Sequence, residues 1–130
     1  DYLGRLVDAL RRAWVPDGRL LVVPRFSALQ LDMDRAVCCG LVATELLTNA
    51  FRHAFPDHRP GAVCVELVVR GRDAVLSVRD DGVGLPEQRE DHGSLGFQLI
   101  RSLARQLEGR VEVERDRGTT VRITFVTPRA

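Results

Sequence analysis

The segment that most constrains the fold runs from Ala36 to Phe55. Ala36 to Leu47 is almost entirely apolar, and Leu46, Leu47, Ala50, Phe51 and Ala54 recur at offsets of three and four. This pattern predicts a helix that is largely buried. Yet Glu45, Asn49 and His53 fall at i, i+4 and i+8, with Arg52 beside them. They make one polar stripe on a helix that is otherwise dry. A carboxylate and a carboxamide placed there must be paired, solvated in a cavity, or used. By itself the stripe also fits the solvated edge of an amphipathic helix, so the rest of the chain has to decide.

Around this helix the chain divides into short, well-punctuated elements. Tyr2 to Trp14 carries Leu3, Leu6, Val7, Leu10 and Trp14 at helical spacing, and Pro16, Asp17 and Gly18 stop it. Leu20 to Pro24 is a short apolar, β-branched run and reads as a strand, followed by a loop with room for a short strand as far as Leu31. Asp32 is the candidate N-cap of the long helix, which the pattern carries to about Ala54 before Pro56 ends it. Ala62 to Arg70 and Ala74 to Arg79 alternate around Gly71-Arg72-Asp73, an antiparallel hairpin. Asp80 to Gly96 is irregular. Phe97 to Leu107 is helical, with Gly109 as a candidate C-cap glycine. Arg110 to Arg115 and Thr119 to Val126 form a second hairpin across Asp116-Arg117-Gly118. Strands in adjacent pairs favour an α+β fold. The expected form is a two-layer α/β sandwich: a mixed, mostly antiparallel sheet with about three helices on one face. No strand leads into a G-x-G-x-x-G and a helix, which disfavours a dinucleotide-binding fold.

Residues 1–130 read as a single domain, with no repeat, low-complexity tract or linker. Nineteen basic and 18 acidic residues leave a net charge of +1, so no nucleic-acid footprint is indicated. No apolar run reaches bilayer length, and the first residues lack a signal-peptide pattern. The expectation is therefore a cytoplasmic domain without membrane contact. Cys38, Cys39 and Cys64 are odd in number and show no C-x-x-C spacing, so free, buried thiols are expected rather than a disulfide framework or zinc site. The chain begins without Met and is expected to be a fragment.

Three further motifs follow the polar stripe. Asp80-Asp81-Gly82-Val83-Gly84 comes directly after a strand. There an Asp could accept from an exocyclic amine while the glycines give a flat ring room; an Asp-Gly turn is the plain alternative. Gly93-Ser94-Leu95-Gly96 opens a helix, whose unpaired N–H groups and dipole favour anions. Between these loops, Pro86 to His92 is polar and suits a mobile lid over a phosphate tail. Gly118-Thr119 lies in the last hairpin.

In this order and at these distances, the four motifs closely resemble the ATP-binding domain of the GHKL superfamily. Within it they are most similar to the catalytic domain of sensor histidine kinases, the HWE-like subgroup in particular. The match covers Asp32 to Phe125. Glu45 to Phe55 looks like the asparagine box, Asp80-x-Gly82-x-Gly84 like the first glycine box, and Gly93 to Gly96 like the second. The resemblance implies the Bergerat fold, with Mg²⁺-ATP between the long helix and the lid. It also implies roles. Asn49 binds Mg²⁺ through its side-chain oxygen, and Glu45 orients a water or the metal shell. Asp80 reads the adenine amino group, and Gly82 and Gly84 give the ring room. Arg52 and His53 face the phosphates, Thr119 supports the adenine side, and Gly96 with nearby backbone amides contacts the phosphate tail. The ATP-binding set includes Leu85, Gly93, Ser94 and Leu95.

Two departures matter. Ser94 stands where many such kinases have the first glycine of a Gly-Leu-Gly triplet. The phosphoacceptor helix is missing, because the only histidines are His53, His58 and His92. The implied protein is the catalytic half of a two-component histidine kinase. Its γ-phosphoryl would go to a histidine on an upstream dimerisation domain, and from there to a response regulator. Residues 1–15 would continue from that upstream region. Two alternatives stay open: an anti-sigma-factor-type serine kinase, and a non-catalytic nucleotide-sensing adaptor of the same fold.

Overall fold

A computed structural model of the chain describes residues 2–27, 31–55, 59–83, 95–115 and 117–126. Five strands form one mixed sheet: β1 (Leu20–Phe26), β2 (Gly61–Arg70), β3 (Asp73–Asp80), β4 (Arg110–Glu114) and β5 (Thr119–Val126), in the spatial order β1-β2-β3-β5-β4. β1 runs parallel to β2, and the remaining neighbours are antiparallel. Parallel neighbours need a long crossover, and here the crossover contains the long helix. The early strand is thus part of a β-helix-β unit, which paired strands alone do not suggest. β1 also extends two residues beyond Pro24, with Pro24 on an edge strand where its missing donor costs least.

Three helices cover one face: α1 (Tyr2–Trp14), α2 (Met33–Asn49) and α3 (Leu95–Gln106). Strict alternation decides which strand residues meet them. Val63, Val65 and Leu67 on β2, Ala74, Leu76 and Val78 on β3, and Val121, Ile123 and Phe125 on β5 are all buried. They pack in one cluster with Leu3 and Val7 of α1, Cys39, Val42, Leu46 and Leu47 of α2, and Ile100, Leu103 and Leu107 from α3 onward. The opposite sheet face carries Glu66, Arg79, Glu112, Arg122 and similar polar residues. Because only one face is apolar, the molecule has two layers rather than three.

Local chemistry sets the boundaries. The Asp32 carboxylate accepts from the Arg35 amide at 2.8 Å and caps α2. After Asn49 the helix widens into a π-helical turn, Ala50–Ala54. The continuous α-helix expected to Ala54 therefore stops five residues early, and the terminal turn follows i→i+5 geometry. The end of α3 also differs from expectation. Gly109 is not left-handed; Glu108 is, with φ 56°. The Glu108 amide donates to the Arg105 carbonyl at 3.0 Å and the Gly109 amide to the Ala104 carbonyl at 2.8 Å, the bond pair of a Schellman motif one residue earlier than expected. Gly109 is required for space instead, since a Cβ there would lie 2.5 Å from the Thr124 carbonyl oxygen.

In the β2–β3 hairpin the two-residue loop has Gly71 at φ 63°, the first central position of a II′-type turn. Cys38 and Cys39 are buried and Cys64 is half-buried, and all three are free thiols. Among the described residues no helix is long and apolar enough to cross a membrane. The expected lid, with Gly84, Leu85, His92, Gly93 and Ser94, lies outside the described residues, as does His58.

Candidate functional site

The polar stripe of α2 meets a cavity. Leu46, Asn49, Ala50, His53 and Ala54 line it from the helix, Val78 and Asp80 from β3, Thr119 and Val121 from β5, and Phe97 from α3. Its empty space is about 420 Å³, counting the part open to solvent. The lining is mostly apolar, with four polar side chains converging from three elements. Such a lining suits a flat, largely apolar ring with a few polar edges.

Asp80 lines this cavity and is only 8% exposed. It is the last residue of β3, the central strand, and pairs in register with Val63 on one side and Thr119 on the other. A carboxylate this deep must be held by donors. The Gly82 amide donates to Asp80 Oδ1 at 3.0 Å, and the Thr119 amide donates to the same carboxylate. Burial nevertheless dominates and pushes the Asp80 pKa up, with the neighbouring Asp81 adding to the rise and the two amides opposing it. A carboxylate has about four lone-pair sites, so two amides leave capacity for a ligand donor.

Backbone approach accounts for the glycines around Asp80. A Cβ on Gly82 would lie 2.2 Å from the Ala54 carbonyl oxygen. The same carbonyl accepts from the Val83 amide at 2.9 Å, so the loop after β3 closes the end of the long helix. Gly118 has φ 119°, and a Cβ there would lie 2.0 Å from the Asp80 carbonyl oxygen. Gly118 therefore lets the β4–β5 turn press against the end of β3 and bring the Thr119 amide to Asp80. Asp81, not singled out in the sequence, ties the same corner to β2: its Oδ1 accepts from the Ala62 amide at 2.9 Å.

The remaining expected residues divide. Asn49, His53, Asp80 and Thr119 come together on the cavity. Glu45, one turn before Asn49, is half-buried and outside the cavity lining. Arg52 is exposed and also outside it; its guanidinium carbon lies 5.2 Å from the centroid of the Trp14 ring. Leu95 and Gly96 open α3, the helix that brings Phe97 to the cavity. The apolar contributors Leu46, Ala50, Val78, Phe97 and Val121 look like core in the sequence. Their helical and alternating periods mark them as buried without saying that they border a cavity.

The donor set bears on a metal. Among the described residues there is no group of three or more His, Cys, Asp or Glu side chains able to hold an ion. Mg²⁺ usually needs only one or two protein oxygens and takes the rest from phosphates and water. The Asn49 carboxamide on the cavity wall fits that pattern; a site made wholly of protein ligands does not.

Similarity to known proteins gives the family. The sequence model of the family described as "Histidine kinase-, DNA gyrase B-, and HSP90-like ATPase" matches residues 38–129. A protein named "Blue-light-activated histidine kinase 2" from Erythrobacter litoralis is 35% identical over 128 residues, covering 94% of this chain and 36% of that protein. A solved structure of the histidine kinase domain of a blue-light-activated histidine kinase from the same organism superposes with a TM-score of 0.89. It is 32% identical, over 96% of this chain and 59% of that one. An anti-sigma F factor from Geobacillus kaustophilus is 27% identical over 115 residues, covering 79% of this chain and 77% of that protein. The chain thus spans about a third of the length of the first of these relatives.

Proposed function

Because this chain belongs to the histidine kinase-, DNA gyrase B- and HSP90-like ATPase family, we propose that its cavity binds ATP and presents the γ-phosphoryl group to a histidine on another domain. The observation that carries the reading is Asp80. It is a buried carboxylate, with two backbone amides donating to it, in the wall of a mostly apolar cavity. That is a costly arrangement for a fold to keep without a ligand donor to meet it.

In this reading Asp80 accepts from the exocyclic amine of adenine, and Thr119 supports the same edge. Leu46, Ala50, Val78, Phe97 and Val121 hold the ring by contact. Gly82 and Gly118 keep the backbone close enough to make the slot narrow. Asn49 and His53 lie on the helix side of the cavity, where the phosphates would run toward the start of α3. Gly84 would give the ring room beside Gly82, and Leu85, Gly93, Ser94, Leu95 and Gly96 would supply the loop over the phosphates. Bound Mg²⁺, held by Asn49 and the phosphates with Glu45 ordering its outer shell, would neutralise charge on the transferring group. The chain itself contributes positioning and exclusion of water, which is most of what phosphoryl transfer asks of a protein. The partners of this reading are a histidine-bearing dimerisation domain and a response regulator, in the cytoplasm. A second reading, phosphorylation of a serine on a small partner protein, draws support from the likeness to the anti-sigma F factor.

Calorimetry with ATP and Mg²⁺ tests the site. Wild type binds, and Asp80→Asn presents an amide to the adenine amine and loses a hydrogen bond worth about 1.5–3 kcal/mol, roughly ten- to hundredfold in affinity. Equal affinities in the two proteins would remove Asp80 from adenine recognition.

A further inference from the structure

Arg52 stands next to His53, a cavity-lining residue, yet its side chain leaves the cavity and lies over Trp14 at the end of α1. The cause is local. On a continuous α-helix, residues three and four beyond Asn49 share its face. The turn Ala50–Ala54 is instead π-helical, and a turn closed by i→i+5 bonds is wider. Residue i+4, His53, still faces the cavity, while residue i+3, Arg52, lags behind that face and meets α1. The ring that receives it is itself fixed. Val15, the next residue, is 1% exposed, and Leu3 and Val7 anchor the same helix in the core. Among the described residues no carboxylate lies within ion-pair reach of Arg52, so the Trp14 ring is its structural partner.

We propose that Trp14 is a positioning residue that parks Arg52 outside the cavity while the domain is empty, and that a bound polyphosphate draws Arg52 off the ring. This rests on the reading of the cavity as a nucleotide site. The competition has a definite direction. A cation over an exposed ring is weakly held, whereas a guanidinium on phosphate makes a charge-assisted, often bidentate contact that is stronger. The ring is therefore strong enough to hold Arg52 at rest and too weak to keep it once phosphate arrives. It also makes the position of α1 a variable in nucleotide affinity. Moving Trp14 away from Arg52 removes the competitor, and pressing it closer strengthens it.

The chain has a single tryptophan, so its emission reports this ring alone. The domain, wild type and Arg52→Gln, is titrated with Mg²⁺-ATP while calorimetry follows binding separately. The expected result is that Arg52→Gln changes the emission of the empty domain. In wild type ATP then changes emission with the calorimetric midpoint, and in Arg52→Gln ATP changes it little. Trp14→Leu should bind ATP about two- to fivefold more tightly, the worth of one exposed ring–cation contact. Trp14→Phe should fall between Leu and wild type, and the gain should vanish in the Trp14→Leu/Arg52→Gln double variant. A merely structural Trp14 would give weaker binding on truncation, independent of Arg52. Calorimetric binding without an emission change, or an equal change in Arg52→Gln, would overturn this inference and leave the nucleotide site standing. No calorimetric binding at all would overturn both.

Discussion

Asp80 and Asn49 both line the cavity, and the roles proposed for them make separable demands. Asp80 has a folded-state pKa raised above its ordinary value of 3.8 by burial. It therefore takes up its proton at a pH where an unfolded Asp is still charged. In the empty domain the ionised carboxylate is a stability penalty at neutral pH, and that penalty is relieved as the pH falls through the raised pKa. Nucleotide binding has the opposite dependence, because a protonated Asp80 loses acceptor capacity. The affinity for ATP should fall as the pH drops through this range, before 3.8 is reached. Asp80→Asn should lack this step and keep the titrations common to both proteins, so the difference between their pH profiles isolates Asp80. Identical profiles would mean that the carboxylate does not meet the ligand. In the proposed reading Asn49 serves the phosphates rather than the ring. Asn49→Ala should lower phosphoryl transfer at saturating ATP by at least tenfold while changing affinity by only a few fold, read from kcat and KM separately. A pure KM effect would contradict that placement. At this scale most of the polar site is legible in the sequence, since burying a carboxylate, a carboxamide and an imidazole on apolar elements costs stability unless each meets a partner or a ligand. Where Arg52 points is not legible, because a π turn has no compositional signature and a helical wheel assumes 3.6 residues per turn.

At the scale of elements, the two hairpins show how similar turn sequences do different work. Gly71 and Gly118 both have positive φ. At Gly71 nothing lies within 4 Å of where a Cβ would stand, whereas at Gly118 the Asp80 carbonyl oxygen is 2.0 Å away. Gly71→Ala should cost about 1–2 kcal/mol, the left-handed penalty alone, and leave ATP affinity unchanged. Gly118→Ala adds a backbone clash at Asp80. It should cost more in denaturant midpoint and also weaken ATP binding, because the Thr119 amide is displaced from the carboxylate. Comparable effects of the two on ATP affinity would separate the β4–β5 turn from the site. The strands and helices themselves are legible from their periods, because one apolar face per element is what a two-layer fold requires. The end of α3 is less so. A glycine after a helix suggests a left-handed cap, but here Glu108 takes that conformation and Gly109 makes room for the Thr124 carbonyl. Close approach between distant segments leaves no local trace.

At the scale of the whole molecule, a cavity bounded by α2, β3, β5 and α3 is the proposed donor site, and in the proposed reading the acceptor is on another domain. His53 stands on the cavity wall, fixed on the turn that ends the long helix, and transfer needs a nucleophile in line with the γ-phosphate at near-attack distance. Incubation with γ-labelled ATP and Mg²⁺ is therefore the most direct measurement, made on this domain alone and again with the domain joined to a histidine-bearing helical dimerisation domain of the kind the proposal requires. No label is expected on the isolated domain, and the joined protein should carry a label that is lost in acid, as phosphohistidine is. Stoichiometric labelling of the isolated domain would contradict a donor site without its own acceptor, and an acid-stable label on the joined protein would contradict transfer to histidine.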